Sequence, residues 1–129
     1  MPRVSAAFYA LGTILVLAGM ALGEYMGSHE DMTLAPLHAH MNLLGWVTLA
    51  LYGTFYALTK DTYSPRLAWL NFLLSGAGIL TTVPALYFLL TTNDTATYGP
   101  IAGATAGLCL LGLLVFMISV FRELVRKRT

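Results

Sequence analysis

Charge is scarce in this chain. Of 129 residues, 10% are Asp, Glu, Lys or Arg and 57% are hydrophobic, against roughly 25% charged in an average soluble domain. That deficit excludes an ordinary water-soluble globule and places the chain in a lipid bilayer. Cysteine is almost missing too. Cys109, the single one, lies deep in an apolar run, so neither a disulfide framework nor a cysteine-based metal site is available within one chain. It reads as a small packing residue. No phosphate- or nucleotide-binding motif and no Ser/His/Asp set with recognisable spacing is present, and no nucleic-acid partner is expected.

Long apolar stretches are what the chain does have. Four stand out, near residues 5–26, 37–58, 67–90 and 101–121, each close to the roughly 20 residues that a helix needs to cross a hydrocarbon core. They predict an all-α integral membrane protein, one four-helix bundle over 1–129. The first run is longer than the apolar core of a typical signal peptide and ends without a small-residue cleavage pattern, so it reads as a retained span. Lys and Arg occupy positions 3, 60, 66, 122, 126, 127 and 128. The first and third connections hold only Glu24, Glu30, Asp31 and Asp94. The positive-inside rule therefore puts both termini in the cytoplasm and the acidic connections outside, and the basic tail from Arg122 to Arg128 reads as a topological anchor.

Small residues recur every fourth position at Gly19, Gly23 and Gly27 and again at Gly99, Gly103 and Gly107. Such stripes let helix backbones approach closely in lipid, and packing within one bundle is expected of both in preference to a dedicated oligomer face. Pro84 is expected to kink the third span near its outer end, and the stretch from Ser75 to Gly78 to admit a neighbouring helix. Trp69, Tyr63 and Tyr98 sit where an aromatic belt would lie.

Histidine is the informative minority. Two of the three histidines fall in "PLHAHMNLLGW", residues 36–46. Pro36 suits the first turn of a helix, with Thr33 or Ala35 as a start signal. His38 and His40 then lie in the first turns of the second span, at the outer side. Two residues apart on a helix they point roughly 200° away from one another, so they do not chelate one small ion together. Each can reach a different cofactor, and imidazole is a common axial ligand of haem iron. The plainer alternative is that both bond to water, Thr33, Asn42 or Thr48 near the interface. Gly45 and Gly53 share a helix face where absent side chains would let a flat ring lie near the backbone, beside Trp46. Tyr52 and Tyr56 share another face, as a pocket wall or as packing. Glu24 is a candidate to orient a ligand imidazole.

The stretch "LHAHMNLLGWVTLALYGTFYAL", residues 37–58, resembles the histidine-bearing helices of the catalytic subunit of haem-copper oxidases and nitric oxide reductases. "HMN" at His40 to Asn42 matches the family's second helix, and "HAH … YGTFY" is similar to its tenth. The resemblance implies one of the three four-helix groups that make up that twelve-helix subunit. Three copies would then form a homotrimer in the inner (cytoplasmic) membrane of a bacterium or archaeon. It further implies haem b bound between His38 of one copy and His40 of the next, with Asn42, Gly45, Trp46 and Gly53 around it, and quinone or a periplasmic redox partner exchanging electrons. Departures from the family are equally clear. The further histidines of its copper site are missing, so oxygen reduction and proton pumping are not expected. No Arg or Lys stands at the outer side to pair with haem propionates. Two other classes stay open: a copper- or zinc-binding protein using His29, Glu30, Asp31, His38 and His40 at the outer face, and an assembly subunit without a cofactor.

Overall fold

The computed structural model describes residues 1–127; Arg128, at the end of the basic tail, lies outside them. The described residues are helical throughout their ordered elements, with no strand among them. Helix α1 spans Arg3–His29, and the second span is composite: α2 (Ala35–Asn42), a π-helical turn (Leu43–Thr48) and α3 (Leu49–Leu58). Helices α4 (Pro65–Thr92) and α5 (Thr95–Leu124) complete the fold. Four of these rods, α1, the composite span, α4 and α5, are long and apolar enough to cross a membrane.

The ends of the helices follow local chemistry. Prolines stand in the first turns of α2 and α4, where a missing N–H costs nothing. The expected start signal of α2 differs, because the cap is Leu34 with no side-chain bond. Thr33 is occupied instead with Asp31, whose carboxylate accepts its backbone N–H at 2.9 Å and its hydroxyl at 2.6 Å. Helix α1 closes in a left-handed turn at Glu30 (φ 51°), with Asp31 N–H returning to Met26 O at 3.1 Å. Asn93 takes the same conformation (φ 56°) after α4, and Asp94 caps α5 by accepting the Thr97 N–H at 3.0 Å. Helix α4 continues through Pro84 without interruption.

Packing joins α1 to the composite span and α4 to α5. In the lower half, Phe8 lies 5.7 Å from Tyr52, 5.9 Å from Tyr56 and 5.1 Å from Phe72 between ring centroids. A polar layer crosses this core. Asn71 donates to the Tyr56 hydroxyl (3.3 Å), the Tyr56 hydroxyl meets Ser119 (3.1 Å), and Ser75 donates to Asn71 (2.9 Å). Tyr56 is therefore core packing tied into α4 and α5, while Tyr52 packs 4.4 Å from Phe116 of α5 between ring centroids and also lines a cavity with Ser75, Ile79 and Cys109. Of the aromatic-belt residues, Trp69 is exposed, whereas Tyr63 packs 5.9 Å from Tyr56 and Tyr98 stacks 5.4 Å from Phe88.

Close approach of α4 and α5 rests on Ser75, Gly78 and Gly112, as expected of the Ser75 to Gly78 stretch. A methyl group on Gly78 would stand 2.6 Å from Cys109 Sγ and 2.8 Å from its backbone nitrogen, and one on Gly112 would overlap the Ser75 hydroxyl. The glycine stripe of α5 does something else. A methyl group on Gly99, Gly103 or Gly107 would have no neighbour within 4 Å. The expectation of packing within one bundle is thereby corrected for this helix, because its contact with α4 uses the Cys109 and Gly112 side and leaves the stripe facing outward. In α1 the expectation holds for Gly19 and Gly23 and not for Gly27, which is also open.

Two outcomes follow from this packing. Gly78→Ala pushes a side chain into the α5 backbone and should destabilise the detergent-solubilised protein by roughly 1–3 kcal/mol, whereas Gly27→Ala should leave the thermal midpoint unchanged or raised; equal midpoints for the two variants would contradict the α4–α5 contact. At the cap of α5, the Thr97 hydroxyl and then its backbone N–H hold the Asp94 carboxyl below the ordinary aspartate range. A depressed native pKa means that the cap acts fully above the ordinary aspartate pKa and is lost as pH falls through the lowered one. Amide-exchange protection at Thr97 should follow that course, and should be low at neutral pH in Asp94→Ala.

Candidate functional site

The two histidines diverge as the helical spacing requires. His38 turns toward α1 and His40 lies on the far side of α2. The His38 ring sits over Gly23, where a methyl group would come 2.7 Å from its Cε1. Its Nδ1 is 2.7 Å from the carbonyl oxygen of Gly19. Across α2, the Nδ1 of His40 is 2.7 Å from the carbonyl oxygen of Pro36, one turn earlier. A carbonyl oxygen only accepts, so at that distance each Nδ1 carries the proton. In a neutral ring that leaves the electron pair on Nε2, the atom best placed to bind a metal, with the ring orientation fixed from behind.

Asn42 completes the inner half of the site. Its amide nitrogen lies 3.0 Å from Nε2 and 3.2 Å from Nδ1 of His38; nearly equidistant from the two, it sits over the ring face and not in line with the in-plane Nε2 electron pair. Its amide oxygen is buried and has no hydrogen-bond partner among the described residues. Gly19 makes room for it, since a methyl group there would stand 2.6 Å from that oxygen. The spacing of Gly19 and Gly23, expected to pack helices, does so, and the groups that it admits are the site residues His38 and Asn42.

Three other predicted site residues lie elsewhere. Gly45 faces Leu15, with 3.0 Å between that side chain and a methyl position, and Gly53 faces the Ser5 carbonyl at 3.1 Å and Phe8 at 3.2 Å. Trp46 covers Gly12 at 3.1 Å and meets Tyr9 at 6.4 Å between ring centroids. The expected face for a flat ring is thus corrected: Gly45, Trp46 and Gly53 seat α1, and the space beside them is filled. Glu24 is exposed, and backbone carbonyls rather than its carboxylate take the imidazole protons.

The π-helical turn from Leu43 to Thr48 begins immediately after Asn42. Such turns insert an extra residue and are frequent at functional positions. Here the turn separates the register of His38 and Asn42 from that of Gly45 and Gly53, although all four end up against α1. Periodicity at 3.6 residues could not show it.

The loop groups do not join the histidines. His29 stacks on Tyr25 (ring centroids 4.1 Å apart) with its Nδ1 2.9 Å from the Tyr25 carbonyl. The Thr33 hydroxyl, and then its N–H, hold the Asp31 carboxyl below the ordinary range. Among the described residues, no three His, Cys, Asp or Glu side chains gather to hold a metal ion. A bare copper or zinc ion held by His29, Glu30, Asp31, His38 and His40 of one chain is not what this geometry offers.

Fold and site together define a four-span, all-helical membrane protein with two imidazoles presented in opposite directions at one end of the bundle. No family model, no curated protein and no solved structure matches the chain.

The arrangement of His38 can be checked directly. In the protein without added cofactor, nitrogen-15 spectra of labelled histidine should show His38 as the tautomer protonated on Nδ1. Gly23→Ala should displace the ring and mix the tautomers. A wild-type His38 protonated chiefly on Nε2 would contradict the bond to Gly19.

Proposed function

We propose that the chain is the repeating unit of a haem b membrane cytochrome, a homotrimer in which His38 of one copy and His40 of the next would hold the iron of each haem. The observation that carries the reading is the pair of imidazoles anchored through Nδ1 to backbone carbonyls at 2.7 Å, which leaves both Nε2 atoms as donors. A porphyrin supplies four of the iron's ligands, so the protein needs to supply only single imidazoles from separate helices. One chain with diverging histidines suits that demand, and the outward-facing stripe of Gly99, Gly103 and Gly107 leaves a face on which a second copy can approach. The likeness of residues 37–58 to haem-copper oxidase helices supports the same reading.

His40 fits the role as it stands. His38 fits it by donor type and ring orientation, with the Asn42 amide packed over the ring 3.0 Å from its Nε2. When bound, haem b would supply one-electron chemistry. The protein would hold it low-spin with no open position, which suits electron transfer between a quinone and an external acceptor better than gas catalysis. Under this reading both termini are cytoplasmic, the histidines stand near the outer face and the membrane is the inner one of a bacterium or archaeon. Asn42 also favours a second reading, a cofactor-free assembly subunit, because its amide packs directly over His38 with no ligand between them.

Oxidised and dithionite-reduced spectra of protein purified in mild detergent, with mass from light scattering, separate the two. Sharp reduced bands of a low-spin haem b, one haem per chain in a trimer, are expected. Replacing either histidine singly by alanine should alter every haem. Unchanged bis-histidine spectra in His38→Ala would remove His38 from the ligand set, and a colourless wild-type protein after haem supplementation would leave the cofactor-free subunit.

A further inference from the structure

Opposite the histidines, the second connection and the end of α5 enclose a cavity of about 320 Å³. Arg122 and Arg126 line it together with Thr59, Ser64 and Tyr63, and Phe55 lies on its apolar side. Glu123 also lines it. That carboxylate is committed: it accepts the Thr62 hydroxyl at 2.8 Å and lies 3.9 Å from Arg126. Arg122 has no carboxylate within ion-pair distance among the described residues. The cavity therefore presents two guanidinium groups against one carboxylate, with hydroxyl groups beside them. Guanidinium is the side chain whose donor fork suits phosphate oxygens.

We propose that this cavity binds the phosphate of an anionic glycerophospholipid. A phosphate group could also arrive as the free ion, but the surroundings favour a lipid. Phe121, Leu124 and Val125, next to the arginines along α5, are exposed apolar residues that offer acyl chains a path into the bilayer. The ordinary role of cations at this end, fixing topology, calls for no shared cavity and no hydroxyl groups. The inference stands apart from the histidine site and does not depend on haem.

The test compares lipid retention of the full chain by native mass spectrometry, and its thermal midpoint, in micelles carrying phosphatidylglycerol, phosphatidylcholine or inorganic phosphate at equal phosphate concentration. Phosphatidylglycerol should be retained and should raise the midpoint, and the other two should not. Arg122→Gln and Arg126→Gln should each weaken retention about fivefold or more. Arg3→Gln, a cation outside the cavity, should leave it unchanged. Helical content by circular dichroism shows that each variant is folded. Arg122→Lys, which keeps the charge without the fork, supplies a second reading and should retain less than wild type. Equal retention by wild type and by the folded Arg122 and Arg126 variants would overturn the proposal. So would equal stabilisation by inorganic phosphate, which assigns the cavity to a soluble anion, or by phosphatidylcholine.

Discussion

Where Gly19 and Gly23 pass Asn42 and His38, α1 runs so close to the second span that a methyl group on either glycine would overlap a side chain of the site. Apolar burial does not drive that approach, because lipid is as apolar as the helix surface; van der Waals contact and interhelical hydrogen bonds do. The seam continues through Gly12 under Trp46, Gly45 under Leu15 and Gly53 under Phe8. Its consequence at the outer end is chemical. With α1 this near, the Gly19 carbonyl reaches Nδ1 of His38, and the ring is held in one orientation and one tautomer. Elsewhere in the span the same seam is only packing.

A carbonyl already serving a helix can accept a second hydrogen bond through its other lone pair, and both histidines use carbonyls in this way. Each imidazole N–H is satisfied by a backbone carbonyl, without use of the Glu24, Glu30 or Asp31 carboxylates of the neighbouring connection. The polar core around Tyr56 uses a related economy of groups. Asn71, Tyr56, Ser119 and Ser75 satisfy one another across three helices, so that no charged residue is needed to join α3, α4 and α5. The fold thus separates its polar work into a closed layer, whose partners are internal, and an outer pair of imidazoles whose Nε2 atoms are its chemically distinctive groups.

The four spans were legible because length and apolarity are sequence properties; the second ends at Leu58 as expected, and the other helix ends run two to six residues past the expected segments. Pro36 in the first turn and the divergence of His38 from His40 were legible for the same reason: proline geometry and the helical repeat are local. Gly45, Trp46 and Gly53 were not. Nothing in a sequence says which of two surfaces a glycine will face, and here α1 fills the face that a cofactor ring would have needed. Gly99, Gly103 and Gly107 failed in the same way with the sign reversed, since they face outward. The π-helical turn was hidden because it breaks the very periodicity used to read the segment. Asn71 passed without notice although an amide inside an apolar span was a readable signal, whereas Ser119, which it reaches through Tyr56, lies in another helix and could be found only in three dimensions.

Asn42 sets the terms on which the outer site operates. Its amide nitrogen covers the His38 ring, and its amide oxygen is buried without a partner beside Gly19 among the described residues. An unpaired buried acceptor costs roughly 1–3 kcal/mol, so the arrangement is not one in which every group is at rest. His40 has no such cover: its Nδ1 is bound within its own helix, and no bond to its Nε2 holds it to α1 or α4. The two imidazoles are therefore inequivalent before any ligand arrives, one covered by an amide and one open. A symmetric assembly that paired the open ring of one copy with the covered ring of the next would meet the Asn42 amide once at each junction, so that Asn42, as much as either histidine, shapes the proposed haem site.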